Sequence, residues 1–154
     1  MPNVRVSIDV PTFSLQVIAE RDIKSGSQLF YCYCQPDRSV KERQRQLATY
    51  GFVCICKACV NATPESDKLR EEMEDRIEKI GDEYEEMFAN PLFNIRSLDP
   101  LVKLEKDIIK EGLDFGTPFM NLLYFIMKGY IKLGDSKKWE YFNRLNSKPE
   151  EKTD

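Results

Sequence analysis

The sequence predicts an α+β fold, in which a small antiparallel β portion comes first and a helical region follows. Over the first twenty residues apolar side chains alternate singly with polar ones, which is typical of strands. Beyond residue 60 they recur at spacings of three and four, which is typical of amphipathic helices. Between the two regions lies a cysteine-rich loop, within the stretch YGFVCICKACV at residues 50–60.

The β portion is predicted to begin with a hairpin over residues 4–19 that turns at Pro11-Thr12. Each arm places its apolar residues on one face: Val4, Val6, Ile8 and Val10, then Phe13, Leu15, Val17 and Ala19. A nearly all-apolar run from Leu29 to Cys34 predicts a third strand of the buried type. The charged, glutamine-rich segment from Ser39 to Tyr50 predicts a short helix that leads into the cysteines.

Four further helices are predicted after residue 60. Three begin where a residue with a capping side chain precedes a proline: Thr63-Pro64, Asp99-Pro100 and Thr117-Pro118. The second of these helices is expected from about Leu101 to Leu113. The third is expected from Phe119 to Leu133, with Gly134 ending it.

The fourth helix is predicted to begin around Asp135. One apolar stripe marks the first helix: Leu69, Met73, Ile77, Ile80, Tyr84 and Met87. The helices are expected to share one core: Leu104, Ile108, Leu122, Phe125, Ile126 and Trp139. The tail from Lys148 to Asp154 is expected to be disordered.

Composition excludes several classes of function. The 154 residues carry a net charge of −3 with a pI near 5.2, and residues 65–89 hold eleven acidic and four basic side chains. Direct nucleic-acid binding is therefore not expected. No stretch is apolar enough to cross a membrane and no signal peptide is recognisable, so we expect an intracellular location, nuclear or cytoplasmic.

The five cysteines and the absence of histidine direct attention to thiolate chemistry. The cysteines lie between positions 32 and 59, in a pattern that suits thiolates better than a disulfide framework. Cys54, Cys56 and Cys59 form a C-x-C-x-x-C cluster, which brings soft ligands within reach of one zinc ion. The alternative is three apolar cysteines buried in a core.

Three stretches, GSQLFYCYC at 26–34, ERQRQLATYGF at 42–52 and CICKAC at 54–59, resemble the end of a SET domain and its post-SET cysteine cluster. The closest likeness is to the SET- and MYND-type protein-lysine methyltransferases of fungi, in which a helical, often tetratricopeptide-like region follows the cysteines. Two later stretches are similar to that helical region: LEKDIIKEGLDFGTPF and GYIKLGDSKKWEYFNRL.

The resemblance implies a role for each of six residues. Tyr33 matches the tyrosine that lines the lysine channel and orients the target amine. Phe52 matches the aromatic residue that stacks near the adenine of S-adenosylmethionine, and Tyr50 a residue that helps to close the channel. Cys54, Cys56 and Cys59 match the three post-SET zinc ligands, whereas Cys32 and Cys34 have no ligand role in the family and are expected to pack.

The family takes its fourth zinc ligand from an Asn-His-Ser-Cys-x-Pro-Asn motif, and Pro2-Asn3 matches the end of that motif. The resemblance therefore predicts a chain that begins just after the fourth ligand. The predicted divisions are residues 1–50 (SET portion), 51–60 (cysteine loop), 61–147 (helical region) and 148–154 (tail).

Two functions are expected from these observations. The first is the C-terminal portion of an S-adenosylmethionine-dependent methyltransferase that acts on a lysine-containing protein, histone or non-histone, and that is inactive as this isolated chain. The second is a non-catalytic module in which the zinc loop and helices bind a partner protein. In the second case a peptide groove is lined by aromatic residues of the last two helices, although the helical spacing of these residues favours a role in the core: Phe119, Tyr124, Phe125, Tyr130, Trp139, Tyr141 and Phe142.

Overall fold

The structure is a computed structural model that describes residues 3–146. It contains a two-stranded antiparallel sheet and six α-helices in the described residues, which confirms the predicted α+β class. The chain divides into two compact units after Arg70, a point that lies inside the third helix. The predicted tail at 148–154 lies outside the described residues.

The first unit begins with the predicted hairpin. Strand β1 spans Val4–Asp9 and β2 spans Ser14–Ala19, paired so that Val6 faces Val17 and Ile8 faces Leu15. These cross-strand pairs put the apolar residues on one face, as the alternation predicts. Most of that face is open to solvent, and Ile8 is 69% exposed.

The predicted third strand from Leu29 to Cys34 is wrong. The segment has no regular strand structure, and its apolar side chains are exposed rather than buried. The amide groups of Asn3 and Val4 donate to Phe30 O at 2.9 and 3.3 Å, but the next bonds come from the Asn3 side chain. Its Oδ1 accepts from Phe30 N at 2.7 Å and its Nδ2 donates to Gln28 O at 3.0 Å. The side-chain amide of Asn3 thus makes the hydrogen bonds that backbone groups of a neighbouring strand would otherwise make.

The remaining elements of the first unit are helical. Helix α1 spans Val40–Ala48, as predicted, and α2 is a single turn, Lys57–Val60, inside the cysteine loop. Helix α3, Pro64–Ala89, begins where Thr63 Oγ1 accepts from Ser66 N at 3.1 Å, which confirms the predicted cap. Its predicted apolar stripe is confirmed, with Leu69, Met73 and Ile77 buried.

Three helices form the second unit together with the part of α3 that follows Arg70. They are α4 (Asp99–Glu111), α5 (Gly116–Lys132) and α6 (Ser136–Asn146), and a short 3-10 helix, Ile95–Leu98, precedes α4. Gly134, with φ of 71°, follows α5 as predicted, and Asp135 caps α6 by accepting from Lys138 N at 3.0 Å.

Two of the predicted helix caps are wrong. The 3-10 turn runs directly into α4, so Asp99 already lies within its first turn, and α5 begins at Gly116, one residue before Thr117. Their side chains make no cap. The prolines remain acceptable because the first turn of a helix has amide groups without intrahelical partners.

The core of the second unit lies among α4, α5 and α6. Its completely buried side chains include Ile108, Leu122 and Ile126, as predicted. Trp139 and Phe125 were expected there but are only partly buried, and Phe142 is the buried aromatic residue of α6, stacked on Tyr130 with ring centroids 5.5 Å apart. Helical spacing places Trp139 and Phe142 on neighbouring positions of one face, and it does not tell which of them points inward.

Gly129 lets the 3-10 segment approach α5 closely. A Cβ atom on Gly129 would lie 2.9 Å from Leu98 Cδ1, and Leu98 is itself buried.

In the described residues no helix combines the length and apolar character that a bilayer span requires.

Candidate metal centre

The cysteine loop brings three sulfur atoms together. Cys56 lies at the start of α2 with extended backbone, and the amide of Cys59 donates to Cys56 O at 2.9 Å, so Cys59 follows one helical turn later. Cys54 is two residues before Cys56, on the same side of the extended stretch. The ligand atoms of Cys54, Cys56 and Cys59 all lie within 4.8 Å of one another.

This arrangement fits a zinc ion. With Zn–S bonds of about 2.3 Å and tetrahedral angles, two ligating sulfurs lie roughly 3.8 Å apart. The observed separations, all within 4.8 Å, approach that spacing. Within residues 3–146 no fourth histidine, cysteine, aspartate or glutamate belongs to the cluster. The described residues therefore supply three soft ligands that can hold zinc.

The pKa values of two of these thiols, Cys56 and Cys59, shift in opposite directions. Burial raises the pKa of Cys59 to about 11, against the lowering effect of the neighbouring Arg43. Burial acts in the same direction on Cys56, but hydrogen bonds from the Cys54 side chain and the Cys59 amide outweigh it and lower the pKa of Cys56. Because metal binding requires thiolates, ion uptake at this loop releases protons and should strengthen as pH rises.

Helix α1 anchors the loop at both ends. The Gln44 side chain donates from Nε2 to Cys54 O at 2.8 Å and accepts from Cys54 N at 3.0 Å. Arg43 donates from Nη2 to Ala58 O at 3.0 Å and lies 3.8 Å from Cys59 Sγ. Sequence reasoning missed both residues, because helical spacing alone does not distinguish them from the exposed Arg45 or from Gln46, which bonds Gln35. The only available signal was a run of arginine and glutamine in the helix that precedes the cysteines.

Cys32 and Cys34 lie outside the three-cysteine group. Their sulfur atoms are 4.0 Å apart, and the Cys32 thiol donates to Cys34 O at 3.0 Å. Burial and the adjacent Cys32 raise the pKa of Cys34 to about 12. Both side chains are partly buried, and their predicted packing role stays a prediction.

The structure brings together two of the three predicted aromatic site residues. The rings of Tyr33 and Tyr50 meet edge to face with centroids 5.3 Å apart. Phe52 makes no ring contact with either tyrosine in the part of the chain that the structure describes. Tyr33, Tyr50 and Phe52 are 53%, 59% and 45% exposed, so they form an open surface rather than an enclosed pocket. Their roles stay predictions.

Comparison with known proteins identifies relatives of one kind, although no family model matches the chain. The protein named histone-lysine N-methyltransferase SET5 of Candida albicans is 32% identical over 109 residues, which are 70% of this chain and 20% of that protein. The SET5 proteins of Scheffersomyces stipitis and Yarrowia lipolytica are 42% identical over 60 residues and 38% identical over 74 residues. These matches cover 38% and 47% of this chain and 13% and 16% of the two relatives.

The chain thus spans about a fifth or less of the length of these relatives. The likeness agrees with the resemblance that the cysteine loop and its flanking stretches predict. Part of this chain is therefore homologous to the SET5 histone-lysine methyltransferases, and Cys54, Cys56 and Cys59 form the cluster expected of a post-SET-like region.

Proposed function

We propose that this chain is a part of an S-adenosylmethionine-dependent protein-lysine methyltransferase. The observation that carries the proposal is the cluster of three sulfur atoms close in sequence to the Tyr33–Tyr50 pair, in a chain homologous to SET5 proteins. In this proposal Cys54, Cys56 and Cys59 bind zinc and hold the loop that carries Phe52 and directly follows Tyr50. The divisions proposed are the SET portion at 1–50, the loop at 51–60 and the helical region from 61 onward.

The proposed reaction suits the residues available. A neutral lysine amine attacks the methyl carbon of the sulfonium, and the carbon–sulfur bond breaks as the carbon–nitrogen bond forms. The protein mainly aligns donor and acceptor, so the absence of histidine is no obstacle. Tyr33 is proposed to orient the amine through its hydroxyl, and Phe52 to stack near the adenine of the donor.

The substrate proposed is a lysine-bearing protein, because the relatives are named histone-lysine methyltransferases. A basic histone tail is one such substrate, and a non-histone protein is another. A nuclear or cytoplasmic location accords with that substrate class. Direct contact with nucleic acid is not proposed, since the net charge is −3.

The isolated chain is proposed to be inactive. Tyr33 and Phe52 are about half exposed, so they offer one face to a cofactor rather than an enclosure. An aromatic stack adds roughly 0.5–1.5 kcal/mol beyond buried area, whereas micromolar affinity requires about 8 kcal/mol. Calorimetry with S-adenosylmethionine should therefore detect no micromolar binding. Micromolar binding by residues 1–154 alone would contradict the proposed inactivity.

A chimeric enzyme tests the methyltransferase proposal directly. The homologous segment of the Candida albicans SET5 protein is replaced with the matching segment of this chain, and methyl incorporation into core histones is measured. We expect the chimera to methylate, and Tyr33→Phe within it to lower kcat more than it raises KM, because the lost hydroxyl aligns the amine. A folded, zinc-loaded chimera without activity would contradict the proposal.

A second candidate is an interaction module for a basic protein segment. One observation favours it: a cleft of about 400 Å³ in the second unit, lined on one side by Glu74, Glu78 and Asp82. These carboxylates recur every four residues along α3, and Phe125 and Asn121 of α5 face them. Of the aromatic residues in the last two helices, Phe119, Tyr130 and Phe142 are buried in the core, which is the role that their helical spacing favours.

Binding to a lysine-rich peptide distinguishes this second candidate. If the cleft binds basic segments, a Glu74→Gln/Glu78→Gln double variant should weaken peptide binding, because it removes two carboxylates that attract the lysine side chains. Added salt should weaken the binding of the parental chain as well, since exposed charge pairs are screened by salt. A Glu83→Gln/Glu86→Gln variant of the same helix, whose residues do not line the cleft, is the matched control. Equal affinity in both variants would exclude the cleft as the binding site.

A further inference from the structure

We propose that Arg43 and Gln44 of helix α1 are positioning residues that hold the cysteine loop in its metal-binding conformation. The inference rests on the zinc site of the proposed function and extends it to residues that are not themselves ligands. Zinc ligands are generally oriented by neighbouring hydrogen-bond partners, whose loss weakens metal affinity by about 10- to 100-fold.

Gln44 fixes the first ligand through its backbone. Its side-chain amide uses both of its functional groups on one residue, donating to Cys54 O at 2.8 Å and accepting from Cys54 N at 3.0 Å. The pairing imitates one rung of an antiparallel ladder, so it sets the orientation of the peptide as well as its position. The direction in which the Cys54 side chain leaves the backbone is set with it.

Arg43 fixes the last ligand. Its guanidinium donates to Ala58 O at 3.0 Å, one residue before Cys59, and lies 3.8 Å from Cys59 Sγ. Arg43 is only 3% exposed, so its cation is held beside the sulfur with little water to screen it. A divalent ion with three thiolates carries one net negative charge. A guanidinium in this position therefore offsets that negative charge.

Arg43 is itself held by groups outside the loop. It donates to Arg38 O, and its Nη1 lies 3.9 Å from Asp67 Oδ1. The same Asp67 oxygen accepts from Val40 N at 2.8 Å, at the first turn of α1, where an anion is favourable. The first turn of α3 thus anchors the start of α1, and α1 presents a fixed guanidinium and a fixed amide to the loop.

Metal affinity in matched variants tests the proposal. Zinc affinity is measured by competition with a chromophoric chelator, and the cobalt(II) form is examined for its thiolate charge-transfer absorption. Gln44→Ala and Arg43→Met should each weaken zinc affinity about 10- to 100-fold and alter the cobalt absorption. Arg43→Lys should restore part of the affinity, since it keeps the charge but lacks the planar fork whose Nη1 donates to Arg38 O while Nη2 reaches Ala58 O and Cys59 Sγ.

Two residues of the same helix serve as controls. Gln46→Ala removes a glutamine that bonds Gln35 rather than the cysteine loop, and Arg45→Met removes an exposed arginine paired with Glu42. Both should keep the parental zinc affinity and cobalt absorption. Far-UV circular dichroism of the metal-free proteins checks that the helices persist.

The possible results separate the two claims. A parental chain that binds no zinc would overturn the metal site and the positioning role with it. Tight zinc binding by the parent together with unchanged affinity in Gln44→Ala and Arg43→Met would leave the site intact and overturn the positioning role. If Arg43→Met does not fold, Gln44→Ala by itself tests the positioning role, because it removes no charge and no buried cation.

Discussion

The two units of the chain are stabilised in different ways. In the second unit, the side chains of Ile108, Leu122 and Ile126 are completely buried. In the first, the apolar face of the hairpin and the segment around Phe30 are largely exposed. Side-chain amides and one guanidinium hold its segments instead, from Asn3, Gln44 and Arg43.

The difference shows what apolar periodicity does and does not predict. Where consecutive helices pack on one another, an apolar stripe finds its cover nearby in sequence, so the pattern and the burial agree. In the hairpin the same type of pattern gives the correct strands and register, but the burial that it suggests is absent. Specific polar contacts leave no periodic pattern in the sequence, and those contacts determine the local structure of the first unit.

The largest expected effect distinguishes two aromatic residues of the second unit. Phe142 is 3% exposed and stacks on Tyr130, whereas Trp139 is partly buried. Phe142→Ala should lower the free energy of unfolding by about 3–5 kcal/mol, and Trp139→Ala should cost clearly less. Urea denaturation of both variants measures the difference. A larger loss for Trp139→Ala would restore the original sequence prediction.

The next largest difference in stability is expected between two leucine substitutions, one in each unit. Leu122→Ala in the core should cost about 2–5 kcal/mol, because it leaves a cavity that cannot collapse fully. Leu15→Ala on the exposed hairpin face should change stability by no more than about 0.5 kcal/mol. Thermal unfolding of the two variants checks this. Comparable losses would mean that the hairpin face is covered in solution.

A smaller effect should come from Asn3. Its side chain makes two hydrogen bonds, to Phe30 N and Gln28 O, and each such bond contributes about 0.5–1.5 kcal/mol. Asn3→Ala should therefore destabilise the first unit by roughly 1–2 kcal/mol and increase amide hydrogen exchange over residues 28–30. Unchanged exchange in that segment would show that the backbone bonds to Phe30 O suffice.

The smallest effect is a pH dependence in the second unit. Burial raises the pKa of Glu105, so the folded state binds its proton more tightly than the unfolded state does. Stability from this group is fully present below the unfolded pKa and is lost as pH rises through the folded pKa. Glu105→Gln should raise the Tm at neutral pH, and the gain should disappear in acid. A gain of equal size at both pH values would contradict this cause.

Much of the fold was accessible from sequence, and the reasons are specific. The alternation around Val6 and Val17, the Thr63-Pro64 pair and the glycine at position 134 are local signals in the sequence, and each led to a correct element. The run at Leu29 was misleading because composition cannot show whether a ladder partner exists. Asn3, which takes that place, is distant in sequence, and its match to the end of the Asn-His-Ser-Cys-x-Pro-Asn motif does not indicate this contact.

The sequence predicted one part of the candidate site, the cysteines, and missed the residues that hold their loop. The C-x-C-x-x-C spacing located three sulfur atoms that can hold zinc, because thiolates near one another in sequence can meet through a single turn. The residues that hold the loop were not predictable, since an arginine such as Arg43 can be buried or solvated with the same sequence neighbours. Tyr33 and Phe52 were chosen through the family resemblance alone, and their roles await the chimeric enzyme.

Hydrogen exchange with and without a zinc chelator tests most directly the claim that the first unit is organised around a metal loop and the second around an apolar core. We expect about one bound zinc per chain. We also expect chelation to increase exchange over residues 40–60, while the amides of α4 and α5 keep their protection. A purified chain with zinc content near zero, and with exchange over residues 40–60 indifferent to the chelator, would contradict it.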